Sequence, residues 1–280
     1  MQNGHHPDKP YILATGEKAV SRLAVLERIF GPATRHLLSA AGLCSGMRVA
    51  EIGCGTGLTA RWVATQVGPG GSVVGVDASP GQLHIGEKTA AEAGITNLSF
   101  REGNAYETGL PRDSFDLVYS RFLLCHLTDP AKALGKMSSL LKPGGILVCE
   151  DHDDGGIFSE PATSAYKRLV EISDAVNRSH GLDSYIGLKL PRLFHEVGFS
   201  QLETKVNQTA VLRGEEKRFW ERTLREATPA ILAANASTAE ELDAICEEMR
   251  KIAQDESILL MLARVTQVWA RKACPSQDRG

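Results

Sequence analysis

With 31 basic against 34 acidic residues in 280, a net charge of −3 and a pI near 6.3, the chain offers no basic excess for holding nucleic acid. Hydrophobic residues make up 42% and charged residues 23%, an ordinary globular balance, and the longest apolar run, Ile258 to Ala263, is too short to cross a bilayer. Met1 to Pro10 is polar and lacks the apolar core of a secretion signal, so a cytoplasmic location with no membrane partner is expected.

Residues 11 to 42 are expected to be helical, with Leu23, Leu26, Ile29 and Phe30 on one face, Gly31-Pro32 breaking the helix in two and Gly42 capping it. Val49, Ala50 and Ile52 then form a short apolar strand with Glu51 near its carboxyl end. Gly53, Gly55 and Gly57 follow, and Leu58, Trp62, Val63 and Val67 open a helical face. Ser72 to Asp77 is a second strand ending in a carboxylate, and Ser79-Pro80 starts the next helix. Leu98 to Phe100 begins a third strand, Phe115 to Ser120 is a fourth, and Asp129-Pro130 caps a helix that stops before Gly144-Gly145. Ile146 to Glu150 is a fifth strand. Strand and helix alternate throughout this region, which predicts right-handed crossovers and a parallel sheet.

After Glu150 the rhythm changes. Asp151 to Gly156 reads as a solvated acidic loop, followed by a helix through Tyr166 and Val176 and another from Leu188 to Val197. Residues 200 to 212 predict a sixth strand, Gly214 to Gln254 charged helix, and Val265 to Arg271 a last strand returning antiparallel. The six cysteines, Cys44, Cys54, Cys125, Cys149, Cys246 and Cys274, form no CxxC pair and are expected to be reduced thiols without metal.

A glycine loop between strand and helix is where open α/β sheets bind ligands. Its G-x-G-x-G spacing departs from the dinucleotide fingerprint, and the Gly-Lys-Ser/Thr ending of a phosphate loop is absent. Asp77 falls 26 residues after Glu51, where a carboxylate can accept both hydroxyls of a ribose. Asn104 falls 27 residues later, where a side-chain amide can bond an adenine edge. With Phe115-Asp116-Leu117-Val118 and Leu141 to Gly145, these ordered motifs resemble the class I S-adenosylmethionine-dependent methyltransferases of the small-molecule type, over about residues 40 to 152.

That resemblance implies a Rossmann-like, seven-stranded, mostly parallel sheet with an antiparallel last strand, helices on both faces and helical lid insertions. The division expected is an N-terminal helical lid at 1–42, a cofactor-binding core at 43–152 and a helical insertion at 153–186. The rest of the core would lie at 187–213 and 256–273, with a cap at 214–255. It further implies S-adenosylmethionine as cofactor, S-adenosylhomocysteine as product, and a small-molecule acceptor, with a homodimer as an open expectation. Glu51 would favour the amino group of the cofactor's methionine end, lined by Gly53, Cys54, Gly55 and Gly57. Asp77, with Ala78, would hold the ribose; Gln82, Asn104 and Ala105 would meet the adenine; Ser120 and Arg121 would face the methionine part. The family usually carries Asp at position 104, and Asn104 keeps the acceptor oxygen without the charge.

The acceptor is expected to be a secondary metabolite methylated on oxygen or nitrogen, the alternatives being a carbon acceptor or a non-catalytic S-adenosylmethionine-binding scaffold protein. His152, between Asp151 and Asp153, is the first candidate base, with a pKa near neutrality, and His126 the second. Tyr11, Tyr166, Tyr185, Phe219 and Trp220 are the candidate acceptor-pocket walls.

Overall fold

The computed structural model describes Leu13 and residues 20–274. Helix α1 (Val20–Ala41) leads into β1 (Arg48–Ile52), α2 (Leu58–Val67), β2 (Ser72–Asp77), α3 (Pro80–Glu92), β3 (Leu98–Glu102) and β4 (Phe115–Arg121). Next come α4 (Pro130–Leu140), β5 (Leu141–Asp153), β6 (Phe158–Glu160), α5 (Ser164–His180), α6 (Ile186–Glu196) and β7 (Glu203–Val211). Helices α7 (Phe219–Ala233) and α8 (Ala239–Gln254) precede β8 (Leu259–Arg271).

The sheet runs β3-β2-β1-β4-β5-β8, its first five strands parallel and β8 antiparallel to β5. Strand β7 pairs with β8 on the other side, also antiparallel. Side chains alternate across the strands, so β4 sends Leu117 and Tyr119 to one face and Val118 to the other. The first face packs against α2 and the carboxyl half of α1, through Val63, Leu37 and Leu38. The second packs against α4 and α6, through Leu134, Met137 and Phe194. A third core joins the amino half of α1 to α5, α7 and α8, around Tyr166, Ile172, Leu224 and Met249.

Three local expectations are corrected. Helix α1 continues through Pro32 instead of breaking, although proline inside a helix costs about 3 kcal/mol. Buried Phe30, Gly31, Thr34 and Leu37 anchor the axis on both sides of it. The sheet has eight strands, because β8 is 13 residues long and extends past β5 to pair Met261, Leu260 and Leu259 with Phe158, Ser159 and Glu160 of β6. The acidic run is not a solvated loop: β5 carries on to Asp153, paired across to Thr266, Val265 and Arg264. Asp151, Asp153 and Asp154 are all buried. Arg264 explains part of this, since its Nη2 lies 2.6 Å from Asp153 Oδ2 and neutralises it.

Candidate functional site

At the carboxyl end of β1 the chain must turn at once into α2, and Gly53, Gly55 and Gly57 do so at φ 75°, 54° and 68°. This left-handed region is costly for any residue with a Cβ. The three are not equivalent. A Cβ at Gly57 would stand 2.5 Å from the Phe100 ring and one at Gly53 2.9 Å from Leu123, so both yield to protein packing. A Cβ at Gly55 would meet nothing nearer than Leu23 at 4.0 Å, leaving its backbone open to approach.

The loop opens on a cavity of about 570 Å³ that runs from the ends of β1 and β2 beneath α1, α5 and α7. Glu51, Gly53, Cys54, Gly55, Asp77 and Ala78 line it, as do Gln82, Asn104, Ala105 and Arg121. Gly57 and Ser120 lie outside it. Ser120 points to the opposite face of the sheet, where its hydroxyl donates to Cys149 Sγ at 3.3 Å.

Polar groups left unmatched mark the cavity end at the glycine loop. Glu51 is 4% exposed, and its Oε2 has no hydrogen-bond partner among the described residues; Thr59 Oγ1 and Gln82 Oε1 are in the same state. Burial pushes the Glu51 carboxyl up to about 8, partly opposed by the Arg121 guanidinium. Asp77 accepts the Gly55 N–H at 2.8 Å on Oδ2 and the Ser79 N–H at 2.9 Å on Oδ1, and burial raises its pKa. Asn104 Oδ1 is already taken twice, by the N–H groups of Tyr106 at 2.8 Å and Glu107 at 2.9 Å. Its amide N–H₂, not its oxygen, is therefore the group it offers a ligand. Arg121 is tied to α1, with Nη2 2.7 Å from Glu27 and Nη1 3.0 Å from Thr34 Oγ1. Thr34 in turn donates to Glu150, which also accepts from Tyr119 and Gln267.

At the other end stand both candidate bases. His152 leaves β5 with Nδ1 3.3 Å from Asp151 Oδ1 and Nε2 3.4 Å from Asp154 Oδ1. These carboxylates, Asp154 foremost, outweigh burial and lift its pKa to about 9, so the ring is an imidazolium at neutral pH, not poised near neutrality. His126, in a 3₁₀ turn at Leu124–His126, is pushed down to about 4, chiefly by burial, and is neutral. Asp151 is held ionised despite burial by His152 and by N–H donation from Leu124, Cys125 and His152. Cys125, Asp151 and His152 bring ligand-type atoms within 4.8 Å of one another. The carboxylate there is already saturated with donors and burial raises the Cys125 thiol, which disfavours a cation.

Of the expected wall residues, Trp220 and Phe219 line the cavity. Tyr166 does not; its ring fills the third core and its hydroxyl reaches Lys217 O at 3.5 Å. Tyr185 sits at the start of α6, also outside the cavity, and Tyr11 lies outside the described residues. Sequence reasoning missed Arg22, Thr59 and Phe122. Arg22 carried a signal, since a charged residue shares a helical face with Leu26, Ile29 and Phe30. Phe122 adopts φ 50°, unusual for an aromatic residue, and packs edge-on against His152 with ring centres 5.8 Å apart.

A family model described as a methyltransferase domain matches residues 43–198, more than half of the chain. The chain is 30% identical over 172 residues to a demethylmenaquinone methyltransferase of Listeria welshimeri, covering 55% of this chain and 71% of that protein. It is 36% identical over 116 residues to an aklanonic acid methyltransferase of a Streptomyces species, covering 41% and 53%. Among solved structures, the YcgJ protein of a Bacillus shares the fold with a TM-score of 0.58 at 21% identity, over 86% of this chain and all of that one. A phosphoethanolamine N-methyltransferase of Haemonchus contortus, complexed with S-adenosylhomocysteine, shares it with a TM-score of 0.54 at 19% identity, over 91% and 52%.

Proposed function

From the premise that this chain belongs to the methyltransferase-domain family and is a class I S-adenosylmethionine-dependent methyltransferase, we propose that it methylates an oxygen or nitrogen of a small apolar molecule, carbon being the alternative. The observation that carries this reading is the single cavity joining the glycine loop to His126 and His152 under a helical roof. The relatives named for demethylmenaquinone and aklanonic acid support a small organic acceptor, and a secondary metabolite fits that range.

The residues present fit the cofactor. The unpartnered Glu51 Oε2 suits its ammonium group, and Asp77, already fixed by two backbone donors, retains acceptor capacity for ribose hydroxyls. Gln82 Oε1 and the Asn104 amide can face the adenine, and the open backbone of Gly55 allows close approach. When bound, S-adenosylmethionine supplies a methyl group on a sulfonium with a good, neutral leaving group, so alignment is the main task of the protein. Helices α1, α5, α7 and α8 serve as the lid that keeps water from the reacting centre. His152, charged and held by Asp151 and Asp154 on its two ring nitrogens, forms a fixed part of the acceptor wall against Phe122. His126, neutral because burial pushes its pKa down to about 4, lines the same end of the cavity as an uncharged polar group.

No helix among the described residues is long and apolar enough to cross a membrane. A cytoplasmic location, a homodimer, and the absence of nucleic-acid partners and of a resident metal belong to the same proposal. Incubation of cell extract with the protein and methyl-labelled S-adenosylmethionine, followed by mass spectrometry, tests it. Label is expected in one small organic product; failure of the protein to bind the cofactor by calorimetry would overturn the reading.

A further inference from the structure

Eight buried side-chain polar atoms lack a hydrogen-bond partner among the described residues, and six of them belong to residues lining the cavity. Glu51, Thr59 and Gln82 stand at the glycine-loop end. The other three, Arg22 Nη2, Trp220 Nε1 and Asp154 Oδ1, lie on α1, on α7 and just after β5. A buried polar group without a partner is destabilising, and a set gathered on one cavity marks what the cavity is built to receive.

Arg22 is 3% exposed and spends only its Nε on Glu226, at 2.7 Å. Its side chain reaches Glu226 on α7, beside Thr223 and Ala227 of the cavity wall, and its charge helps to hold His126 neutral. Arg22 therefore stands at the histidine end. The wall between the histidines and Trp220 is a continuous series of edge-on rings. His152 meets Phe122 at 5.8 Å, Phe122 meets Phe30 at 5.0 Å, Phe30 meets Phe219 at 6.5 Å and Phe219 meets Trp220 at 5.0 Å. Leu169, Ile172 and Val176 of α5 also line the cavity. Such a chamber suits a flat ring system.

The charged groups here decide the sign of the guest. Glu226 is answered by Arg22, and Asp151 by three N–H donors and His152. Asp154 accepts the Ser173 hydroxyl on Oδ2 at 2.7 Å, while its Oδ1, without a hydrogen bond among the described residues, lies 3.4 Å from His152 Nε2 and faces that positive charge. Among the described residues, Arg22 Nη2 and Trp220 Nε1 have no acceptor. We propose that the acceptor is an apolar, ring-bearing oxyacid whose anionic oxygen is held by Arg22, with Trp220 as a second donor. This rests on the methyltransferase reading and names the substrate class of that site. A guest bound as its anion arrives already deprotonated, so no side chain has to remove its proton, which agrees with a charged His152.

Calorimetry on the protein loaded with S-adenosylhomocysteine tests this with three bicyclic probes of similar size: 2-naphthoate, 2-naphthamide and 2-naphthylmethylammonium. The wild type should bind the carboxylate at least tenfold tighter than the amide and bind the ammonium probe most weakly. Arg22→Gln should abolish the preference and Arg22→Lys should keep most of it, which separates lost charge from lost folding. S-adenosylhomocysteine affinity should change less than twofold in both variants. Equal binding of carboxylate and amide, no measurable binding of any probe, or tightest binding of the ammonium would overturn the proposal. So would a loss in Arg22→Gln that falls on S-adenosylhomocysteine instead, which would assign Arg22 to the cofactor. Failure of the wild type to bind S-adenosylhomocysteine at all would instead sink the methyltransferase reading beneath it.

Discussion

The Gly55 amide donates to Asp77 Oδ2 across 2.8 Å, so the carboxylate at the end of β2 fixes the loop at the end of β1. One residue thus shapes the glycine loop and faces the cavity. Asp77→Ala should lower S-adenosylhomocysteine affinity by about 1–3 kcal/mol, the scale of charge-assisted hydrogen bonds, and loosen the loop as well. Calorimetry measures the first effect and hydrogen exchange at Gly55 the second. Unchanged affinity would mean that the ribose lies elsewhere.

Glu51, lifted to about 8, is protonated in the free site at pH 7. An ammonium group placed beside it favours the carboxylate, so cofactor binding should release up to about one proton, and affinity should rise as pH climbs towards 8. The heat of S-adenosylhomocysteine binding at pH 7 should then differ between phosphate and Tris buffers in proportion to their ionisation enthalpies. Glu51→Gln should remove that difference. A buffer-independent heat in the wild type would place the ammonium away from Glu51.

His152 binds its proton more tightly folded than unfolded, its pKa rising from 6.5 to about 9. Its contribution to stability is full below pH 6.5 and is lost as pH rises through 9, because the folded state then gives up a proton it favoured. The contribution is of order 1–3 kcal/mol. Glu51 also loses stability with rising pH, between 4.5 and 8, so the comparison must be between wild type and His152→Gln. Urea midpoints at pH 6.5 and 9.5 should fall further in the wild type than in the variant. Parallel falls would show that His152 is not held as a cation.

Gly55 and Gly57 share a left-handed backbone but differ in surroundings. Gly57→Ala adds a clash with Phe100 to backbone strain and should cost about 2–4 kcal/mol of stability. Gly55→Ala bears only the backbone strain, about 1–2 kcal/mol, and should weaken cofactor binding more than Gly57→Ala does. Thermal melts with and without S-adenosylhomocysteine measure both; equal losses of stability would contradict the packing at Phe100.

The strand, glycine loop and helix around Glu51, the carboxylate ending β2 and the parallel order of β1 to β5 were legible in the sequence because they depend on local signals. Apolar period, turn chemistry and the spacing of crossovers lie within tens of residues of one another, and the family motifs fall on them. Side-chain direction at strand ends was harder to read. Ser120 and Arg121 are neighbours, yet the pleat sends Ser120 to Cys149 and Arg121 to the cavity.

What only the tertiary structure decided rests on partners far away in the chain. The acidic run after Glu150 reads as solvated until Thr266, Val265 and Arg264 of β8 pair with Asp151, His152 and Asp153, burying the run and charging the histidine. Arg22 reads only as a charge on the apolar face of a helix until α7 brings Glu226 against it and closes the roof over the cavity. The sequence alone carried the family resemblance that implies the cofactor, since its motifs fall on consecutive strand ends. The chamber for the acceptor is assembled from α1, α5 and α7, and no local pattern in any one of them contains its shape or its charge.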